Sequence, residues 1–374
     1  MRRRGKLQDA PAQEAEPEEL SDTRSIPPSA VNSVSAHTAV ETLRSRSSRI
    51  TARSPNFENL VLRPRKILID QGKIEGNTNP YNHFGTEKPP DGKWIEYKAL
   101  EGFEVAEVWL SLSRESIEEI IEEYDFMASK QVCEQEYASF ATETFLRRQR
   151  RSRQNPTDRK WRAERMLQLV APPAGRLNWD PPITFDQNTD EFKFDVRPDC
   201  SYWLSLAGFN PDYRSELENA VYVHEDWITC PYFTIEFKKH GQSVNQAEWQ
   251  AAAAASVALY NRYVLKTNAL GIENRAWTDK DKIQMRHYIL TFVGAQYGIW
   301  ILRASLENDR WDGCSMRRLC SSRCTAIAGV QKLERWINEI HRWGLGDHAA
   351  GCQVDVKTVL QFNDVDISAM DIAS

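Results

Sequence analysis

The chain has 374 residues, 41% of them hydrophobic and 27% charged, with twelve Trp and a formal net charge of −5. That length fits one large domain plus an arm, because single cores stop growing near ~250–300 residues, and the negative balance excludes a protein that coats nucleic acid through general basicity. Seven Cys, no charged-then-apolar leader and no run near the ~20 apolar residues of a membrane helix predict a reduced, intracellular protein of the nucleus or cytoplasm.

Residues 1–64 are rich in Ser, Pro, Arg and Glu and carry too little periodic apolar surface to offset ordering entropy, so a disordered N-terminal arm is expected. Residues 65–93, punctuated by EGNTNPYNHFG and EKPPDG, read as a linker or an extended segment packed on the domain. The domain itself is expected over 94–350, with 351–374 a C-terminal tail. Its first clear helix is SRESIEEIIEEYDFMA, where Ser113 caps and Glu115 to Glu119 suit the positive end. In the next, KQVCEQEYASFATETFLRR, the spacing puts Val132, Cys133, Tyr137 and Phe140 on one face. Glu136 falls on that face, and Glu134 falls on the solvated side. The run RRQRRSR that follows fits either a solvated helix end or a ridge that contacts phosphates or addresses the nucleus. DRKWRAERMLQLV reads as a further helix before the Pro-rich turn APPAG.

From Glu191 the period shortens. KFDV, CSYWLSL, CPYFTIEFKK, HYILTFV and YGIWILRA read as strands, interrupted by the Ala-rich helix QAEWQAAAAASVALYNRYVL. GVQKLERWINEIHRWGLG reads as a last helix stopped by glycine. Helices before, between and after strands imply an α/β fold with a central mixed β-sheet flanked by helices. Cys314, Cys320 and Cys324, with His341, His348 and Cys352, lack the close CxxC pairs of structural zinc sites and read as core or loop thiols.

CPYFTIEFKK carries the chemistry. Strand alternation places Phe233, Ile235 and Phe237 on one face and Thr234, Glu236 and Lys238 on the other. An acid and a lysine at the end of an otherwise apolar strand are costly to bury unless they are paired or ligate a cation. A second acid, Asp199 in RPDCSYWLSL, leads into the preceding strand and would come beside Glu236 if the two strands are neighbours. Thirty-six residues separate Asp199 from Glu236, which requires an insertion. Asp195, Asp212, Glu225 and Asp226 remain alternative first acids.

Pro198 and Asp199, then Glu236, Phe237 and Lys238, resemble the PD and (D/E)xK elements of the restriction-endonuclease-like phosphodiesterases. The surrounding RPDCSYWLSLAGFNP and ITCPYFTIEFKK are similar to an uncharacterised fungal group of PD-(D/E)XK nuclease-like domains, over roughly residues 95–345. The resemblance implies a restriction-endonuclease-like core and a metal-dependent phosphodiester hydrolase acting on DNA or RNA. It makes Asp199 and Glu236 the ligands of Mg²⁺ (or Mn²⁺) and Lys238 the group that positions the attacking water. Two carboxylates suffice, since Mg²⁺ keeps several waters and takes few protein acids, and Glu136 is the expected third. Many members carry a Gln on the helix after the lysine strand. Gln246 is the expected counterpart here, with Gln250 on the same face. The alternatives are an inactive member of the fold that serves as a nucleic-acid-binding or protein-interaction module, and a purely structural Glu236–Lys238 ion pair.

Overall fold

The computed structural model describes residues 50–363 apart from 52–53, 71, 73–77, 91–92, 151–157, 170–177, 187–191 and 193. The first 49 residues of the expected arm therefore lie outside the described residues. The rest of the arm is ordered where disorder was expected, and the segment after it packs on the domain as an extended strand, one of the two readings of 65–93. Phe57, Val61 and Leu62 are wholly buried in a short turn of helix, and Ile67–Asp70 forms strand β1. This strand pairs in parallel with the last strand of the sheet, Ile67 opposite Cys314. One turn and one short strand are too brief for either period to show in sequence. Helix α1 (Pro80–Phe84) follows, capped by Asn79, whose side chain accepts from the Tyr81 N–H.

Helix α2 (Arg114–Lys130) starts where expected, the Ser113 side chain accepting from the Ser116 N–H at 3.1 Å. Ile117, Ile120, Tyr124 and Met127 form its buried stripe. Helix α3 spans Glu134–Thr144, so Val132 and Cys133 precede it and do not set its phase. Tyr137 and Ala141 define its buried face, and residues 147–150 of the arginine run are not helical. The expected helix DRKWRAERMLQLV is replaced by strand β2 (Ala163–Leu167), which pairs antiparallel with β3 (Cys200–Ser205). Cross-strand pairing there overrides good local helix propensity. The expected strand KFDV is irregular from Phe194 to Val196.

The insertion between Asp199 and Glu236 is filled by short 3-10 turns (Leu206–Gly208 and Pro211–Asn219) and the two-residue β4 (Val223–His224). It leads into β5 (Ile228–Lys238), which still pairs antiparallel with β3. Helix α4 (Val244–Ile272) crosses over, followed by α5 (Asp279–Gln284) and β6 (Arg286–Val293), which lies parallel to β5. Then β7 (Gln296–Glu307) and β8 (Arg310–Arg323) extend the sheet antiparallel. No strand was expected over β8, since its alternate positions mix Arg, Ser and Cys. The sheet order is β1-β8-β7-β6-β5-β3-β2, with β4 at the start of β5.

Both faces of this mixed sheet are covered. On one, α4 brings Ala251, Ala252, Ala253 and Ala255 against Ile289, Trp300 and Leu302. The small side chains allow close approach. On the other, α2, α3 and α6 (Ile327–Trp343) supply Tyr124, Tyr137, Trp336 and Trp343. Trp300 and Trp336 are at most 1% exposed, and truncating either to Ala costs about 3–5 kcal/mol. The α6 helix does not stop at glycine. Gly344 keeps a right-handed helical backbone, the chain passes through one wide turn, and α7 (Ala349–Phe362) continues where a tail was expected. Val356 and Leu360 of α7 are buried beside Leu265 and Ala269 of α4. No helix among the described residues is long and apolar enough to cross a membrane.

Candidate active site

The central strand β5 is buried along nearly its whole length, and its last residues meet the start of β3. Cys200 pairs with Ile235, so the residue before it, Asp199, lies beside Glu236. The Phe237 N–H donates to Asp199 Oδ2 at 2.8 Å, which fixes that carboxylate at the strand end. Asp199 and Glu236 are also hydrogen-bonded to each other through their carboxyls. Glu236 is 2% exposed. Burial drives its pKa well above the usual carboxylate range, the neighbouring Asp199 charge adds to the rise, and Lys238 opposes it.

Lys238, two positions on and on the same face, sends its ammonium back over the pair. Nζ lies 3.8 Å from Glu236 Oε2 and 3.7 Å from Glu134 Oε1, and donates to the Phe237 carbonyl at 2.5 Å. Two carboxylates, Glu236 and Glu134, thus flank one ammonium. The acid that joins the Asp199–Glu236 pair from α3 is Glu134, not Glu136. Because α3 begins at Glu134, this residue stands three and seven positions before Tyr137 and Ala141, on their buried stripe. Glu136 is turned to solvent. The correct phase was accessible in sequence only by starting the helix after Cys133.

Two openings meet at this cluster. One, about 700 Å³, is lined by Glu134, Asp199 and Phe237 together with Arg165 and Gln168. The other, about 350 Å³, is lined by Glu236, Gln250, Asp195, Arg197 and Phe57. Gln246 is half-buried at the start of α4 and lines neither. Gln250, one turn further along, shares the cavity with Glu236, and its Oε1 is buried with no partner among the described residues. Of the alternative acids, Asp195 lines that cavity too. Glu225 and Asp226 stand before the first residue of β5, roughly 35 Å from its last at ~3.3 Å per residue.

The arginine run, open in sequence between a solvated helix end and a phosphate-contacting ridge, is described only as far as Arg150. Arg147 donates to the Trp109 carbonyl at 2.9 Å, Arg150 pairs with Glu107 at 3.8 Å, and Arg151 and Arg153 lie outside the described residues. The cation on the larger opening is Arg165. Its guanidinium donates to the Thr142 carbonyl at 3.0 Å and to that of Leu146, which ties β2 to the end of α3. Sequence reasoning missed it because β2 read as helix.

Among the described residues no group of three or more His, Cys, Asp or Glu is arranged to hold a metal ion. The cluster offers two facing carboxylates, with Glu134 held by the lysine. Comparison of the chain with protein-family models, curated proteins and solved structures gives no match in any of the three.

Proposed function

We propose that the chain is a metal-dependent phosphodiester hydrolase with a restriction-endonuclease-like core, acting on nucleic acid. The observation that carries this is the meeting of Asp199 and Glu236, from adjacent antiparallel strands, under the Lys238 ammonium at the open end of the sheet. A mixed sheet with helices on both faces, and an acid pair at neighbouring strand ends, are what the PD and (D/E)xK resemblance implies. The donor set fits a hard divalent ion. Two carboxylates share a spot where burial first, and then the Asp199 charge, raise the Glu236 pKa, and Mg²⁺ takes one or two carboxylates plus waters and substrate oxygens.

Asp199 and Glu236 would hold that ion, which supplies neutralisation of phosphoryl charge and acidification of water. Around it, the chain's own groups perform three tasks. The Phe237 N–H keeps Asp199 aimed at the opening. Lys238, anchored on the Phe237 carbonyl, keeps donors free to orient the attacking water and to balance charge growing on the phosphate. Glu134 holds the ammonium toward the larger opening, where Arg165 stands to meet a substrate phosphate.

The test is cleavage of single- and double-stranded DNA and of RNA with Mg²⁺ or Mn²⁺. The parent cleaves at least one, and Glu236→Ala and Lys238→Ala each lose at least ~100-fold in rate, the scale of a lost charge-stabilising group. Equal activity in all three proteins sinks the assignment. Inactivity of the parent together with undiminished nucleic-acid binding selects the non-catalytic module.

A further inference from the structure

At the opposite end of β5 from Lys238, the strand carries a bulge. Tyr202 pairs with Phe233 while Leu204 pairs with Thr229, so the register slips across the intervening β5 residues. Cys230 lies there with a left-handed backbone, φ 45°, and a bulge of this kind re-aims its side chain. What it meets is a second sulfur. Cys352, wholly buried in the first turn of α7, has its thiol in hydrogen-bond contact with that of Cys230. One imidazole nitrogen bridges the two residues: His348 Nε2 is 3.2 Å from the Cys230 carbonyl and 3.6 Å from Cys352 Sγ.

The surroundings differ from those of the chain's other buried thiols. Burial raises the pKa of Cys314 and Cys320. Cys230 moves the other way, because the Cys352 S–H hydrogen-bonds to it, outweighing burial, with help from the Thr229 hydroxyl at 3.5 Å and the Arg262 charge. Cys230, Thr229, Arg262 and His348 line a cavity of about 30 Å³, room for one or two water-sized molecules. Arg262 Nη2 is 2.6 Å from Asp355, while Nη1 is buried with no partner among the described residues. A half-buried thiol, a resolving thiol in contact, and an unused guanidinium donor beside a space the size of hydrogen peroxide make one functional unit.

We propose that Cys230 and Cys352 are a peroxide-reactive thiol pair, Cys230 attacking and Cys352 resolving, which closes a disulfide between β5 and α7. The Cys230 thiolate attacks one oxygen of a hydroperoxide and the O–O bond breaks. The distal oxygen leaves with a proton as water or an alcohol, and Cys230 becomes a sulfenic acid. The Cys352 sulfur then displaces the sulfenic oxygen, which departs as water with the Cys352 proton. The two thiols have lost two electrons in all, and the peroxide has gained them. This unit stands apart from the Asp199–Glu236 site and does not depend on the function proposed for it.

The experiment exposes the reduced full-length chain to hydrogen peroxide, blocks residual thiols with N-ethylmaleimide, and maps peptides by mass. A Cys230–Cys352 cross-linked peptide forms, lighter by two hydrogens and reversed by dithiothreitol. Cys230 loses alkylation at least ~10-fold faster than Cys314 or Cys320, as thiolate character dictates. In Cys352→Ser the Cys230 sulfenic acid accumulates and is trapped by dimedone; in Cys230→Ser neither product appears. If both thiols stay alkylable at peroxide levels that oxidise the exposed Cys133, the proposal falls. That outcome is read on the parent chain, so it stands even if a variant misfolds.

Discussion

Glu236 is the residue whose ionisation the fold resists most visibly, and this sets a stability test separate from activity. Its carboxyl has a raised pKa in the folded chain because it is buried beside Asp199, whereas the unfolded chain leaves it near its ordinary 4.5. Above that ordinary value the unfolded state releases the proton and the folded state still holds it. The contribution is therefore fully present below about pH 4.5 and is lost as pH rises through the higher folded value. Glu236→Gln removes the ionisation and keeps the shape. Without metal, its melting temperature should exceed the parent's at pH 8 by roughly 2 °C or more, with the gap closing toward pH 4.5. A gap that widens on acidification would show that the carboxylate is instead held ionised by Lys238. The same residue shows how sequence served at this scale. Strand alternation alone put Glu236 and Lys238 on one side, because period two leaves no freedom, whereas the choice between Glu134 and Glu136 turned on where α3 starts, which alternation of apolar residues does not mark.

At the scale of elements, the long apolar runs of β5, β6 and β7 and the Ala-rich α4 were legible because each carries an unbroken buried stretch of its own. Those that escaped were built by partners. β2 is a strand because β3 offers it a ladder, and β8 is one because β7 and β1 pair with its two edges. The α7 helix, expected as tail, is held by charges that are 89 residues or more apart along the chain only in their pairing, not in their pattern. Asp355 of α7 is 1% exposed and lies 2.6 Å from Arg262 and 3.0 Å from Lys266 of α4. Lys266 also reaches Asp281 of α5 at 3.1 Å, and Asp281 takes Arg275 at 2.8 Å. Although burial works the other way, hydrogen bonds from Arg275 and Thr278 hold the Asp281 carboxyl below the usual range. Removing Asp355 strands the buried Arg262 guanidinium and leaves Lys266 with Asp281 alone. Asp355→Ala should cost about 3–5 kcal/mol in chemical denaturation, while Asp312→Ala, whose partner Lys66 is 44% exposed, should cost no more than about 1 kcal/mol.

For the whole molecule, both ends of the described chain close the fold. The segment from Phe57 to Asp70 covers the α4 side of the sheet and completes its edge, and α7 packs behind α4. Phe57 makes this concrete. It is wholly buried, meets Phe192 edge-on with centroids 5.2 Å apart, and stands in the wall of the cavity that contains Glu236 and Gln250. A residue of a disordered arm would be neutral to truncation. Phe57→Ala should instead lower stability by about 3–5 kcal/mol through lost burial and the void it leaves. It should do so by shifting one cooperative transition, seen alike by tryptophan fluorescence and circular dichroism, since the segment shares its core with Trp300 and Trp203 of the sheet. A separate early transition, or no change at all, would mean that the N-terminal segment rests on the sheet without belonging to it. The cavity wall at Glu236 would then be built by the sheet and α4 alone.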